Sequence, residues 1–146
     1  MRGYACVALV DPKYGGNVGA VMRAIGCYGA TLLVVAGGRF RKENPDTHKA
    51  WRHVPVVHGL ADVFDGLPYG CTAVAVDLLE GAVPLPRYQH PERAMYIFGA
   101  EDATLDERVV ARCRDRVMVP TRYCMNLAAT VNVVLYDRMA KSGGGA

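Results

Sequence analysis

The sequence predicts an α/β domain built on a mostly parallel sheet with helices on both faces. Two observations predict it. Short apolar runs of strand length alternate with segments whose apolar residues recur at helical spacing. The first two runs are solidly apolar, as expected for parallel strands covered on both sides. Residues 4–10 (Tyr-Ala-Cys-Val-Ala-Leu-Val) read as the first strand, broken by Asp11-Pro12-Lys13-Tyr14-Gly15-Gly16. From Asn17 to about Tyr28, Val18, Val21, Met22 and Ile25 fall on one helical face, with Asn17 as the expected N-cap and Gly29 as the stop. Residues 31–36 form a second strand, so the first 38 residues make a βαβ unit. After a polar, basic stretch at 39–53 come a short strand at 54–57, a short helix at 60–64 and a strand at 71–77. Residues 81–93 hold three prolines and read as an extended connection. A strand at 95–99, a helix at 105–113, a strand at 117–119 closed by Pro120 and a long helix at 126–141 complete the order. On that last helix Leu127, Val131, Leu135 and Met139 share a face. Residues 1–141 therefore read as one domain and 142–146 as a flexible tail.

Composition narrows the function classes. The chain has 146 residues, one domain's worth, with 51% apolar and 21% charged residues, enough to fill a core and too apolar for a disordered segment. No apolar run nears the roughly eighteen residues of a membrane span. Met1 leads directly into the first strand with no signal-peptide pattern, so a cytoplasmic protein is expected. A net charge of +3 tolerates nucleic acid as a partner without demanding it. The five cysteines (Cys6, Cys27, Cys71, Cys113 and Cys124) form no Cys-x-x-Cys pair. They are expected to be buried, reduced thiols, and no metal site is expected.

In an open parallel sheet, ligands bind at the carboxyl ends of the strands, and those ends carry the unusual residues. Gly15-Gly16-Asn17-Val18-Gly19-Ala20 opens the first helix, where free N–H groups suit an anion. Tyr14 stands where a dinucleotide fingerprint needs its first glycine, and no acidic residue follows the second strand, which argues against NAD. Taken on spacing alone, a bare cap and a solvated arginine would explain Asn17 and Arg23. Phe98-Gly99-Ala100-Glu101 puts a carboxylate at a strand end beside a glycine that admits close approach, or is an ordinary turn. The stretch from Pro120 to Leu127 opens the last helix, where Asn126 serves either a ligand or only as a cap.

Taken in order, three segments resemble a known set. Residues 17–24 (Asn-Val-Gly-Ala-Val-Met-Arg-Ala), 97–101 (Ile-Phe-Gly-Ala-Glu) and 124–128 (Cys-Met-Asn-Leu-Ala) are similar to the three motifs of the SpoU/TrmH branch of the SPOUT methyltransferases. The likeness spans essentially the whole chain, which is near the minimal length of that branch and most similar to its small tRNA wobble-position (cytidine/uridine) methyltransferases. The resemblance implies an S-adenosylmethionine-dependent RNA 2'-O-ribose methyltransferase whose C-terminal part is tied in a deep trefoil knot. Pattern reasoning alone excludes knots. It further implies a cofactor held by Val76, Asp77, Leu78, Gly99, Val119, Cys124, Met125 and Leu127. The implied catalytic group is Arg23, Asn17, Glu101 and Asn126. A homodimer joined through the first and last helices is also implied, with its site completed across the interface. One departure is Cys124, where the family usually has Ser; a thiol is the weaker hydrogen bonder.

A separate RNA surface is expected at Arg39, Arg41, Lys42, Lys49 and Arg52, interleaved with Phe40 and Trp51. Phosphates meet cations there and unstacked bases meet rings. The alternative is a solvated loop. The rival functions are an rRNA rather than a tRNA enzyme, and a catalytically silent RNA-binding protein of the same fold.

Overall fold

A computed structural model describes residues 2–41 and 53–143. In chain order the elements are β1 (Tyr4–Val10), α1 (Gly15–Tyr28), β2 (Leu32–Ala36), β3 (Val56–Leu60), β4 (Thr72–Val76), β5 (Val83–Pro84), β6 (Arg93–Phe98), α2 (Glu107–Val110), β7 (Asp115–Met118) and α3 (Leu127–Lys141). Single 3-10 turns lie at Val63–Gly66 and Leu85–Arg87. The seven strands form one sheet in the order β3-β2-β1-β6-β4-β7-β5, and every pairing is parallel.

Alternation along each strand divides the core in two. Val7 and Leu9, Leu33 and Val35, Val74 and Val76, and Tyr96 and Phe98 face α1 and α3, meeting Val18, Val21, Met22 and Ile25 and then Val131, Val134 and Leu135. Cys6 and Ala8, Ala73 and Ala75, and Met95 and Ile97 face the other way, under Val63, Leu105 and Val110. Both faces are covered, but unequally. Two long helices lie on one side, while α2 and the 3-10 turn at 63–66 cover the smaller residues of the other.

The first βαβ unit follows the sequence closely. Gly29 ends α1 at φ +70, a left-handed conformation that favours glycine, and donates its N–H to Ile25 O. Elsewhere boundaries move. The third strand lies at Val56–Leu60 rather than 54–57, and the helix expected at 60–64 is the 3-10 turn at 63–66. The helix expected at 105–113 shrinks to Glu107–Val110, capped by Asp106 accepting from Arg108 N. Within 81–93 a two-residue strand joins the sheet's edge, where Pro84 costs no central ladder bond.

Asn17 is not the N-cap of α1. The helix begins earlier, at Gly15, and Asn17 lies in its first turn with its side chain spent elsewhere. On α3 the apolar face continues at the C-terminal end through Arg138 rather than Met139. The Arg138 guanidinium is buried, donating to the carbonyls of Tyr4, Pro91 and Glu92 and to the Tyr96 hydroxyl. These acceptors surround the starts of β1 and β6, opposite the strand ends that carry the motifs. The thiols also depart from expectation: all five are free, but Cys27 and Cys124 are exposed and only Cys6 is buried.

Candidate active site

The carboxyl ends of β4, β6 and β7 and the start of α3 enclose a cleft of about 400 Å³, a size that suits a small ligand or cofactor. Val76, Asp77 and Leu78 line it from the end of β4, and Phe98, Gly99 and the turn 100–104 from the end of β6. Val119, Thr121, Cys124, Met125, Leu127 and Thr130 close it. All eight positions expected to hold a cofactor thus border one space, although they lie up to about fifty residues apart in the chain.

Two features keep the cleft open and shaped. A Cβ placed on Gly99 would lie 3.2 Å from both Ala103 O and Leu105 N, so the turn closes over the strand end because no side chain stands there. Asp77 braces the same turn: Oδ2 accepts from Leu105 N at 2.9 Å and Oδ1 from Leu78 N at 2.8 Å. Asp77, expected only as a cofactor contact, thus also holds the turn.

A polar chain ties the three motifs together beside the cleft. Asn126 Nδ2 donates to Asn17 Oδ1 at 3.0 Å, and Asn17 Nδ2 donates to Glu101 Oε2 at 2.9 Å. The amide orientations follow from the ends of the chain. Ala129 N can only donate, so Asn126 turns Oδ1 toward it at 3.1 Å and leaves Nδ2 for Asn17. Asn17 must then present Oδ1 to Asn126 and its own Nδ2 to the carboxylate. Glu101 also accepts from the backbone N–H groups of Lys13 at 2.9 Å and Tyr14 at 3.0 Å, which lead into α1. Partial burial alone would raise the Glu101 carboxyl, but these hydrogen bonds outweigh it and hold the group below the usual glutamate value. Glu101 therefore stays ionised at neutral pH. Asn126 keeps its role as the N-cap of α3 while its amide nitrogen reaches α1.

The turn after Glu101 is bolted from outside. Arg39 grips Asp102 with both terminal nitrogens at 3.0 Å and reaches Asp11 through Nε at 3.1 Å and through the Asp11 carbonyl at 2.6 Å. The Arg39 guanidinium, outweighing slight desolvation, holds the Asp102 carboxyl at about 2. Of the residues expected to meet RNA, Arg39 is thus engaged with two carboxylates, and Arg41 donates to the carbonyls of Gly38 and Phe40. Lys42, Lys49 and Arg52, with Trp51, lie outside the described residues.

Arg23 stands apart. It is exposed on α1, about 9 Å along the axis from Asn17. It does not line the cleft, and its side chain makes no hydrogen bond or ion pair among the described residues. One chain therefore unites Asn17, Glu101 and Asn126 and leaves Arg23 outside.

A family model described as the SpoU rRNA Methylase family matches residues 4–136. The chain belongs to the SpoU rRNA methylase family. Among solved structures, this SpoU domain superposes with TM-score 0.84 at 25% identity on one concerned with 2-OH methylation of C/U34 on tRNA, covering 98% of this chain and 99% of that one. An rRNA methyltransferase from Sinorhizobium meliloti with AdoMet bound gives TM-score 0.84 at 20% identity over 97% of this chain. The SpoU methyltransferase AviRb from Streptomyces viridochromogenes, in complex with AdoMet, gives 0.86 at 21% identity over 100% of it. This SpoU domain spans only 57% and 60% of those last two chains. No curated protein matches it. The SpoU family is an RNA methyltransferase family, and the α/β architecture is shared with these neighbours.

Two features of the site escape sequence reading. The Arg39–Asp102–Asp11 clamp joins residues 28 and 63 positions apart with no local signature. The backbone donors of Lys13 and Tyr14 carry no side-chain signal at all.

Proposed function

We propose that the protein transfers a methyl group from S-adenosylmethionine to a ribose 2'-hydroxyl of RNA, with tRNA as the substrate. The observation that carries this reading is the convergence of the three motifs on one cleft, joined by the Asn126–Asn17–Glu101 chain. The cleft residues fit the donor: Gly99 lets the 103–105 turn pack closely over the strand end and shape the cleft, and Val76, Leu78, Val119 and Leu127 offer apolar contacts beside polar rims. When bound, the donor supplies an already activated methyl. The chain's own residues must then hold the acceptor in line and manage the charge that develops on its oxygen.

Arg23 serves that purpose. A guanidinium keeps its proton, so Arg23 acts as a fork that grips the target phosphate and stabilises the forming alkoxide. Asn17 and Asn126 orient the hydroxyl through an amide pair whose direction Glu101 sets. Arg23 does not line its own chain's cleft, and the working unit is a homodimer packed through α1 and α3, with the site completed across that interface. Exposed Tyr14 at the start of α1 and Val133 and Tyr136 on α3 offer apolar surface for it. The C-terminal trefoil knot of the SPOUT fold and a cytoplasmic location are part of the same reading. Among the described residues no helix is long and apolar enough to cross a membrane. The structural likeness over nearly the full length of a chain tied to tRNA favours tRNA over rRNA.

The test is methyl transfer from labelled S-adenosylmethionine to separated tRNA and rRNA, followed by digestion to nucleosides. Label in a 2'-O-methylnucleoside from tRNA is expected, and Arg23→Ala should abolish it while donor affinity survives. Label in a base, or an Arg23→Ala variant with normal turnover, overturns the reading.

A further inference from the structure

We propose that Tyr123 is the stacking platform for the base of the nucleotide being methylated, and thus a specificity-determining residue at the mouth of the cleft. The inference rests on the RNA 2'-O-methyltransferase reading above. Tyr123 stands between Thr121 and Cys124, both of which line the cleft. The residue is 86% exposed, and its side chain makes no hydrogen bond or ring contact among the described residues. Its backbone is nonetheless held. The Thr121 hydroxyl donates to the Tyr123 carbonyl at 2.7 Å, and three residues on, Asn126 is anchored to both Asn17 and Ala129. The ring is therefore carried on an ordered turn rather than a loose one.

An isolated exposed tyrosine needs no explanation by itself; the position supplies it here. Tyr69 is more exposed, at 101%, but precedes the start of β4, at the opposite end of that strand from the cleft. It has no reacting ribose to serve. A ribose brought to the cleft carries its base outward past the rim, and a flat, uncovered ring there matches an unstacked base. Stacking tolerates any base because each has a π-face, and it requires an unpaired nucleotide. Arg122, the preceding residue, is exposed and without a side-chain partner among the described residues, and is available to meet a flanking phosphate. The ligand class is thus an unpaired nucleotide in an RNA loop, recognised by stacking rather than by hydrogen bonds to its base.

The experiment measures steady-state methylation of a synthetic stem-loop RNA containing the mapped target, and of the same RNA with an abasic ribose at that position. On intact RNA, Tyr123→Ala should raise KM for RNA about tenfold, within the range that loss of one stacked base produces. Donor affinity, read by calorimetry, should stay within about twofold, and Tyr123→Phe should recover most of the loss. On abasic RNA the wild-type and Tyr123→Ala proteins should share one KM. The inference is overturned if KM on intact RNA is unchanged in Tyr123→Ala, if the gap persists in full on abasic RNA, or if Tyr123→Phe is as impaired as Tyr123→Ala. A wild-type protein that methylates no ribose overturns the underlying reading and this inference with it. That outcome is seen before any variant is made.

Discussion

Removing the Glu101 carboxylate probes the joint on which the candidate site depends. Its oxygens accept from Lys13 N, Tyr14 N and Asn17 Nδ2. A hydrogen bond to a charged group contributes about 1.5–3 kcal/mol, and a neutral one about 0.5–1.5. The two backbone donors are exposed and regain water when the carboxylate goes, so they count near the low end. The Asn17 amide is part-buried and counts more. The carboxylate also sits at the start of α1, where the helix dipole adds about 0.3–1 kcal/mol. Glu101→Ala should therefore destabilise the fold by roughly 2–4 kcal/mol. Glu101→Gln can keep its oxygen toward Tyr14 N and Asn17 and turn its NH2 toward Lys13 N. It loses one bond and the charge, for about 1–2 kcal/mol. Urea unfolding followed by circular dichroism, without donor, measures both. A double-mutant cycle with Asn17→Ala should show coupling of about 1 kcal/mol. A Glu101→Ala loss below about 0.5 kcal/mol, or additive effects of the two substitutions, would refute the claim that the motifs are joined through this carboxylate.

Three other outcomes follow from the same structure. Gly99→Val puts a branched side chain where even a Cβ already meets Ala103 O and Leu105 N at 3.2 Å. Calorimetry should show donor affinity weakened at least about tenfold, or roughly 1.4 kcal/mol. Arg138→Leu strands the carbonyls of Tyr4, Pro91 and Glu92 and the Tyr96 hydroxyl; urea unfolding should show a loss of about 3–4 kcal/mol. His90 carries a pH dependence. Tyr96 O–H receives a bond from Arg138, which only donates, so the hydroxyl gives its own proton to His90 Nδ1 at 2.6 Å, and His90 Nε2–H donates to Asp137 at 2.7 Å. Burial, with the side chain 1% exposed, lowers the His90 pKa despite the opposing pull of Asp137. The unfolded chain therefore takes up this proton first. The stability contributed by neutral His90 is full above about pH 6.5 and declines as pH falls below it toward the lowered folded value. A pH series of unfolding curves should show that decline in the wild type and not in His90→Gln.

The βαβ unit was legible because Val7, Leu9, Leu33 and Val35 lie in runs that only a covered parallel strand explains. The two-residue strand Val83–Pro84 was not, because its pairing is decided by β7 and not by its own residues. Asn17 shows why sites are harder than strands. A cap and a bridge look identical in sequence, and the partner that decides between them lies 84 residues away. Arg138 shows the same limit inside a helix. It continues the buried face because carbonyls at the starts of β1 and β6 need donors, a demand set by tertiary structure. The cleft residues became visible as a set only through the family likeness, since Val76, Gly99 and Val119 carry no chemistry of their own.

A structure of the protein crystallised with S-adenosylmethionine tests the central claim most directly. The account predicts the donor in the cleft, touching residues from the ends of β4, β6 and β7 at once, with the Asn126–Asn17–Glu101 chain intact beside it. A donor seated elsewhere, or held by one strand end alone, would contradict it.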